Sequence, residues 1–204
     1  MLKSEPIQFF FELASPYSYI ASLEVDKVAA SAGRSVEWCP IELAMVWEAH
    51  GVLEAYTAIR RLKRPYILRD AIRSAKAQGI TFARPSAPAT DTSLAKLAYW
   101  GLRHDDAALA KRFLQSVWHR YFGEGKPIGA LNDLADASEE IGLGAQQIQI
   151  AAAWAGTRHA QDRSNADAVR SGCFGVPWFI ADGEFFFGQD RLGQLAEHIK
   201  AKPD

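Results

Sequence analysis

Apolar and polar positions divide the chain into three stretches of different period. Pro6 to Ala14 is a short apolar run carrying Phe9, Phe10 and Phe11, which suits a buried strand, and it stops at Ser15-Pro16. A serine cap followed by proline at the first helical position predicts a helix start there. Tyr19, Ile20, Leu23, Val28 and Ala29 then recur at helical spacing until Gly33 offers a stop, and Val36 to Leu43 reads as a second strand bent at Pro40. Strand, helix and strand in about forty residues make a βαβ unit, with parallel pairing and a right-handed connection.

The pattern then changes. From Ala44 to about Arg170 the chain is rich in Ala, Leu, Arg and Gln, with helices predicted at Glu54 to Gln78, Thr92 to Arg103, Ala107 to Tyr121, Ala130 to Ile141 and Gln146 to Arg170, the last with a break offered by Gly156. Arg84-Pro85-Ser86-Ala87-Pro88 and Phe122 to Pro127 mark loops. Strands return at Val176 to Ala181 and Glu184 to Phe187, joined by the hairpin signal Asp182-Gly183, and a closing helix runs from Arg191 to Ala201. The order βαβ, helical block, ββα is that of an α/β thioredoxin-like domain with a helical insertion. The expected division is 1–44 with 171–204 for the thioredoxin-like domain and 45–170 for the insertion.

Composition narrows the function classes. A chain of 204 residues can bury about 70% of its unfolded surface and folds without staples. A net charge of −1 gives no field for nucleic acid or anionic lipid. Cys39 and Cys173 are the only cysteines, too few for a zinc pattern or a disulfide framework, and a reducing, cytoplasmic setting is the expectation. Met1 to Gln8 lacks an apolar leader core, and no stretch reaches the roughly 20 apolar residues of a membrane span. His50, His104, His119, His159 and His198 form no close ligand pair, so no metal centre is expected.

Three junctions at strand ends could carry chemistry. At Ser15-Pro16-Tyr17-Ser18, where redox members of such a fold place C-x-x-C, both sulfur positions are oxygen. Dithiol exchange is thereby excluded at this site, while a serine hydroxyl could still hold a ligand's thiolate; an ordinary Ser-Pro helix start has the same sequence. Phe174-Gly175-Val176-Pro177 precedes an apolar strand, where a cis proline would let its neighbour pair with an extended ligand and a trans one would simply open an edge strand. At Gly188-Gln189-Asp190 the acid either caps a helix or faces a ligand ammonium. A serine hydrolase is disfavoured, because no G-x-S-x-G elbow surrounds Ser15 and Pro16 removes the N–H an oxyanion hole would use. Glu12 is a candidate for tuning the site electrostatically, and Trp118, Tyr121 and Phe122 fit an aromatic pocket or core packing equally.

In combination and order, Phe11 to Tyr19, Phe174-Gly175-Val176-Pro177 and Phe187-Gly188-Gln189-Asp190-Arg191-Leu192 resemble the motifs of 2-hydroxychromene-2-carboxylate isomerases and the related kappa-class glutathione transferases. The likeness extends over the whole chain, through Pro40 to Ala44, Tyr66 to Asp70 and Gly123-Glu124-Gly125. It implies a DsbA-like architecture, glutathione as cofactor, a small aromatic carboxylate as substrate, and a homodimer. The implied reaction interconverts a chromene carboxylate and its ring-opened trans-benzylidenepyruvate through a glutathione adduct. By the same resemblance Ser15 holds the glutathione sulfur, Val176 beside Pro177 pairs with its cysteinyl part, Gly188, Gln189 and Asp190 hold the γ-glutamyl end, and Lys63 lies near the pocket. The sequence departs from the pattern after Ala44, where Met45-Val46-Trp47-Glu48 lacks the basic residue associated with the chromene carboxylate. A kappa-like transferase and a non-catalytic DsbA-like peptide-binding module therefore stand as alternatives.

Charge patterning adds one further expectation. Between Arg60 and Arg84 eight cations (Arg60, Arg61, Lys63, Arg64, Arg69, Arg73, Lys76, Arg84) face only Asp70, a local +7 that leaves −8 on the rest of the chain. Most of these are a solvated helix face, with a subset suited to anionic ligands.

Overall fold

The computed structural model describes residues 5–87 and 90–200. Pro88, Ala201 and the first four residues, on which parts of the sequence reading fall, lie outside that range. Two compact units form, one from residues up to Leu62 together with those from Asn165 onward, the other from Lys63 to Ser164.

The first unit is built on a four-stranded sheet in the order β2-β1-β3-β4. Strands β1 (Ile7–Phe11) and β2 (Val36–Pro40) pair in parallel, β3 (Trp178–Ala181) runs antiparallel to β1, and β4 (Glu184–Phe187) is the hairpin partner of β3. Asp182 and Gly183 both take positive φ, 53° and 83°, the geometry that matches a two-residue turn to the twist of its strands. Arg34, with 4% of its side chain exposed, ties this turn to the start of β1 through Asp182 (2.5 Å) and the Glu5 carbonyl (2.6 Å).

Both sheet faces are apolar, as expected where a sheet is covered on each side. On one face Phe9, Phe11, Trp38 and Phe179 form an aromatic group with ring centroids 5.0–5.9 Å apart, Phe9 stacking on Phe179 at 5.2 Å. On the other face Phe10, Cys39 and Trp178 share a core with Val46 and Trp47 of α3 (Leu43–Ala49) and Ala168 of α9 (Thr157–Arg170). Val52, Leu53 and Tyr56 join that core, which accounts for the first unit reaching to Leu62 and not ending at the composition change near Ala44.

Several elements differ from the periodicity. The helix expected from Pro16 to Gly33 is two, α1 (Pro16–Ser22) and α2 (Val25–Ala30). The Ser22 hydroxyl donates back to the Tyr19 carbonyl (2.7 Å), and Leu23 and Glu24 bond three residues back, so the turn tightens and the helix stops. Strand β2 ends at Pro40, short of the expected Leu43, and Leu43 instead begins α3. Strand β3 begins after Pro177, which has no N–H for the ladder.

In the helical segments, α4 (Leu53–Ala77) runs from the first unit into the second. The second unit also holds α5 (Ser93–Asp105), α6 (Ala107–Trp118), α7 (Leu131–Ser138) and α8 (Ala145–Ala153), with α5 against α6 and α8. A π-helical turn, His119–Gly123, ends α6 where a continuous helix was expected. Trp118, Tyr121 and Phe122 are at most 2% exposed and therefore pack as core. The break at Gly156 separates α8 from α9. The closing helix begins as a 3-10 turn, Gln189–Arg191, before α10 (Leu192–His198). No described helix is long and apolar enough to cross a membrane.

Candidate functional site

Strand register determines which residues meet. Phe10 pairs with Trp178 and Trp178 with Phe187, while Phe11 pairs with Pro40. The exit of β1, the entrance of β3 and the exit of β4 therefore share one end of the sheet, and the three junctions singled out in the sequence come together there. The Gly188 N–H donates to the Pro177 carbonyl (2.9 Å), and α1 packs against the turn Gln189–Arg191.

Ser15 caps α1 in extended conformation (φ −93°, ψ 118°), and its Oγ accepts the Ser18 N–H at 3.2 Å. A hydroxyl has one proton and two lone pairs. One lone pair is thus engaged, and no acceptor for the Ser15 hydroxyl proton is found among the described residues. Ser15 is half-buried. Ser18, at the second sulfur position of a C-x-x-C, is fully buried and its Oγ has no hydrogen-bond partner.

The Val176–Pro177 peptide is cis. Val176 is 9% exposed, yet neither its N–H nor its C=O makes a hydrogen bond among the described residues. Buried backbone groups are nearly always paired, so this pair stands out as a place for an extended ligand. Gly188 has φ +107° and ψ 150°, a region essentially restricted to glycine, and a Cβ there would lie 2.5 Å from Asp190 Oδ1. The close approach sets the Asp190 carboxylate over the Gly188 backbone. Asp190 is exposed, with Arg191 3.6 Å away. Gln189 is half-buried in the same turn. Lys63 is exposed on α4 and belongs to the other compact unit.

Three residues that the sequence reading did not place at the site support this end of the sheet. Trp47 Nε1 donates to the Phe174 carbonyl (2.9 Å), His50 Nε2 lies 3.2 Å from the Cys173 carbonyl, and the buried Asn165 accepts the Glu42 N–H (2.8 Å). The Asn165 amide also reaches Met45 Sδ at 3.5 Å. Among the described residues no group of three or more His, Cys, Asp or Glu is arranged to hold a metal ion.

Cys173, in the segment beside the site, is a buried thiol. Burial pushes it up to about 12, against the pull of a backbone hydrogen bond at Gly175. Only the thiolate attacks, so Cys173 offers no nucleophile near neutral pH.

A thioredoxin-like sheet with helices on both sides of its sequence gap, and oxygen in place of both redox sulfurs, defines the class. The DSBA-like thioredoxin domain model matches residues 6–200, and the chain belongs to that family. It is 28% identical over 201 residues to 2-hydroxychromene-2-carboxylate isomerase of Sphingobium xenophagum, covering 96% of this chain and 98% of that one. It is 26% identical over 209 residues to glutathione S-transferase kappa 2 of Caenorhabditis elegans, covering 95% and 91%. Among solved structures, a 2-hydroxychromene-2-carboxylate isomerase superposes with a TM-score of 0.81 at 23% identity, over 96% of this chain and 94% of that one. The cytosolic disulfide reductase DsbM of Pseudomonas aeruginosa, solved with GSH, superposes with a TM-score of 0.64 at 16% identity, over 96% of each. These last two likenesses speak for the fold.

Proposed function

We propose that the chain is a glutathione-dependent isomerase of a small aromatic carboxylate in aromatic-compound breakdown, working as a homodimer. The observation that carries the reading is the convergence at one sheet end of an undirected serine proton, an unpaired buried backbone pair and an exposed carboxylate. These three groups match, in kind, a thiolate, an extended peptide backbone and an α-ammonium.

The residues fit glutathione as follows. Ser15 Oγ–H donates to the sulfur, Val176 pairs with the cysteinyl backbone as an added strand would, and Asp190 receives the ammonium while the Gly188-Gln189 backbone lines the γ-glutamyl end. Bound glutathione would supply a sulfur nucleophile that adds to the electrophilic substrate and leaves after bond rotation, so it is neither consumed nor oxidised. Ser15 stabilises the anionic sulfur and forms no covalent bond. Its lone pair engaged by the Ser18 N–H leaves the hydroxyl oriented to donate.

A thermal-shift titration tests the reading. Glutathione at one hundred times its Kd stabilises by about 2.7 kcal/mol, which for a chain of this size raises Tm by roughly 5–10 °C. No shift at millimolar glutathione refutes it and favours the peptide-binding module. The likeness to a kappa transferase supports the second enzymatic reading. Incubation with an aromatic electrophile and mass analysis of the thiol separates the two: full recovery of free glutathione marks the isomerase, a stable conjugate the transferase.

A further inference from the structure

The backbone from Cys173 to Pro177 is held carbonyl by carbonyl. Cys173 C=O meets His50 Nε2 at 3.2 Å, Phe174 C=O accepts the Trp47 indole N–H at 2.9 Å, and Gly175 C=O accepts the Cys173 thiol at 3.4 Å. Pro177 C=O accepts the Gly188 N–H at 2.9 Å. Upstream, the Cys173 N–H is anchored to the Ala168 carbonyl of α9 at 3.0 Å. In this run of five residues, only the carbonyl of Val176 is left without a partner among the described residues.

Two of these holds come from one helix and its cap. Trp47 lies in the last turn of α3, and His50, three residues on, is its C-terminal cap, so the two side chains lie near one face. Trp47 is 5% exposed and its ring also packs on Tyr56 at 5.3 Å, so its N–H is fixed in direction. The N-terminus of α3 is in turn fixed by Asn165 on Glu42 N–H, so α3 is tied both to α9 and to the segment that follows α9.

We infer that Trp47 and His50 are positioning residues that fix the Cys173–Pro177 backbone so that Val176 presents its N–H and C=O in strand-like geometry to a bound ligand. Side chains that pin the carbonyls leading up to a recognition residue lower the ordering cost of binding. The inference rests on the glutathione reading only for the identity of the ligand. The pinning itself is a property of the unliganded chain.

The test uses Trp47→Phe, which keeps the ring and removes the donor, together with His50→Ala and the conservative His50→Gln, which retains an amide donor. Leu134→Ala in the second unit is the control for general destabilisation, since Leu134 is fully buried in α7. Two measurements are made on each. Amide hydrogen exchange is read at Cys173 and Gly188, the two protected amides that bracket the segment. Glutathione affinity is read by calorimetry. Trp47→Phe and His50→Ala are each expected to exchange about fivefold faster at these amides and to bind glutathione about fivefold more weakly, the effect of one lost hydrogen bond near 1 kcal/mol. His50→Gln should restore most of both, and Leu134→Ala should change neither. Unchanged exchange in both Trp47→Phe and His50→Ala, or an equal effect in Leu134→Ala, overturns the inference. If the unmodified chain binds no glutathione, the ligand assignment fails, and the exchange measurement still decides the positioning role.

Discussion

Ser15→Ala separates the structural and chemical tasks of one hydroxyl. In the unliganded chain it removes the cap bond to the Ser18 N–H, which at 3.2 Å is long for its type. Loss of a serine cap costs about 0.5–2 kcal/mol, and the long bond points to the lower half, about 0.5–1 kcal/mol, or a fall in Tm of roughly 1–4 °C. With glutathione bound the same change removes a donor to an anionic sulfur, worth about 1.5–3 kcal/mol. At about 1.36 kcal/mol per pKa unit this moves the thiol by about 1–2 units, from about 7 in the bound state back toward the ordinary 8.5. The sign follows from the donor stabilising the charged form: its loss raises the midpoint of thiolate formation. At pH 7 the bound thiolate falls from about half to about 3% of the ligand. Thiolate ultraviolet absorbance, titrated from pH 5 to 10 on the saturated protein, reads this directly. Ser15→Thr should keep the low midpoint. A midpoint unchanged in Ser15→Ala refutes the role assigned to the hydroxyl, whatever happens to Tm.

Three further outcomes follow from local geometry. Gly188→Ala should lower stability by about 1–3 kcal/mol in urea unfolding, because φ +107° is outside the range of alanine and its Cβ meets Asp190 Oδ1; a change under about 0.5 kcal/mol is incompatible with that backbone. Ser18→Ala deletes a buried hydroxyl that has no partner, so stability should hold or rise by about 1 kcal/mol, and a clear loss in urea unfolding would reveal a bond that this geometry lacks. For Cys173 the folded value near 12 exceeds the unfolded one, so the neutral thiol's contribution is complete below about pH 9 and disappears as pH climbs toward 12. Stability should fall there by at most about 1.4 kcal/mol per pH unit, and Cys173→Ala should flatten that part of the profile relative to the unmodified chain.

The parts of this fold that were readable in the sequence are those whose signal is local. Ser15-Pro16 carries its cap and first turn within four residues, and Asp182-Gly183 carries its hairpin within two. The C-terminal junctions were equally visible because proline, glycine and an acid punctuate them. Helix α3 was hidden because Leu43, Val46 and Trp47 follow directly on the apolar run of β2, and seven residues give too little period to separate helix from strand. Trp47 on it and His50 at its cap were hidden for a different reason: their partners are backbone carbonyls more than a hundred residues away, and a carbonyl leaves no mark in a sequence. Asn165 reads as an ordinary exposed helical polar residue until the Glu42 N–H is found beside it. The +7 segment was legible as charge, and the exposed positions of Arg60, Arg61, Lys63 and Arg64 on α4 agree with a solvated face.

The pairing of Phe10 with Trp178 has a kinetic meaning as well. Strands β1 and β2 are near neighbours along the chain and can join early, but β3 reaches β1 only after a loop that includes the entire helical block has closed. Such closures are slow relative to local pairing and come after synthesis of nearly all the chain. Ser15 emerges from the ribosome long before Val176, Gly188 and Asp190, so a nascent chain has the serine without the rest. Ligand capture should therefore be among the last properties gained during folding, and glutathione, by favouring only the finished sheet, would act on unfolding more than on folding. Refolding monitored by ligand binding would then lag behind refolding monitored by helix content.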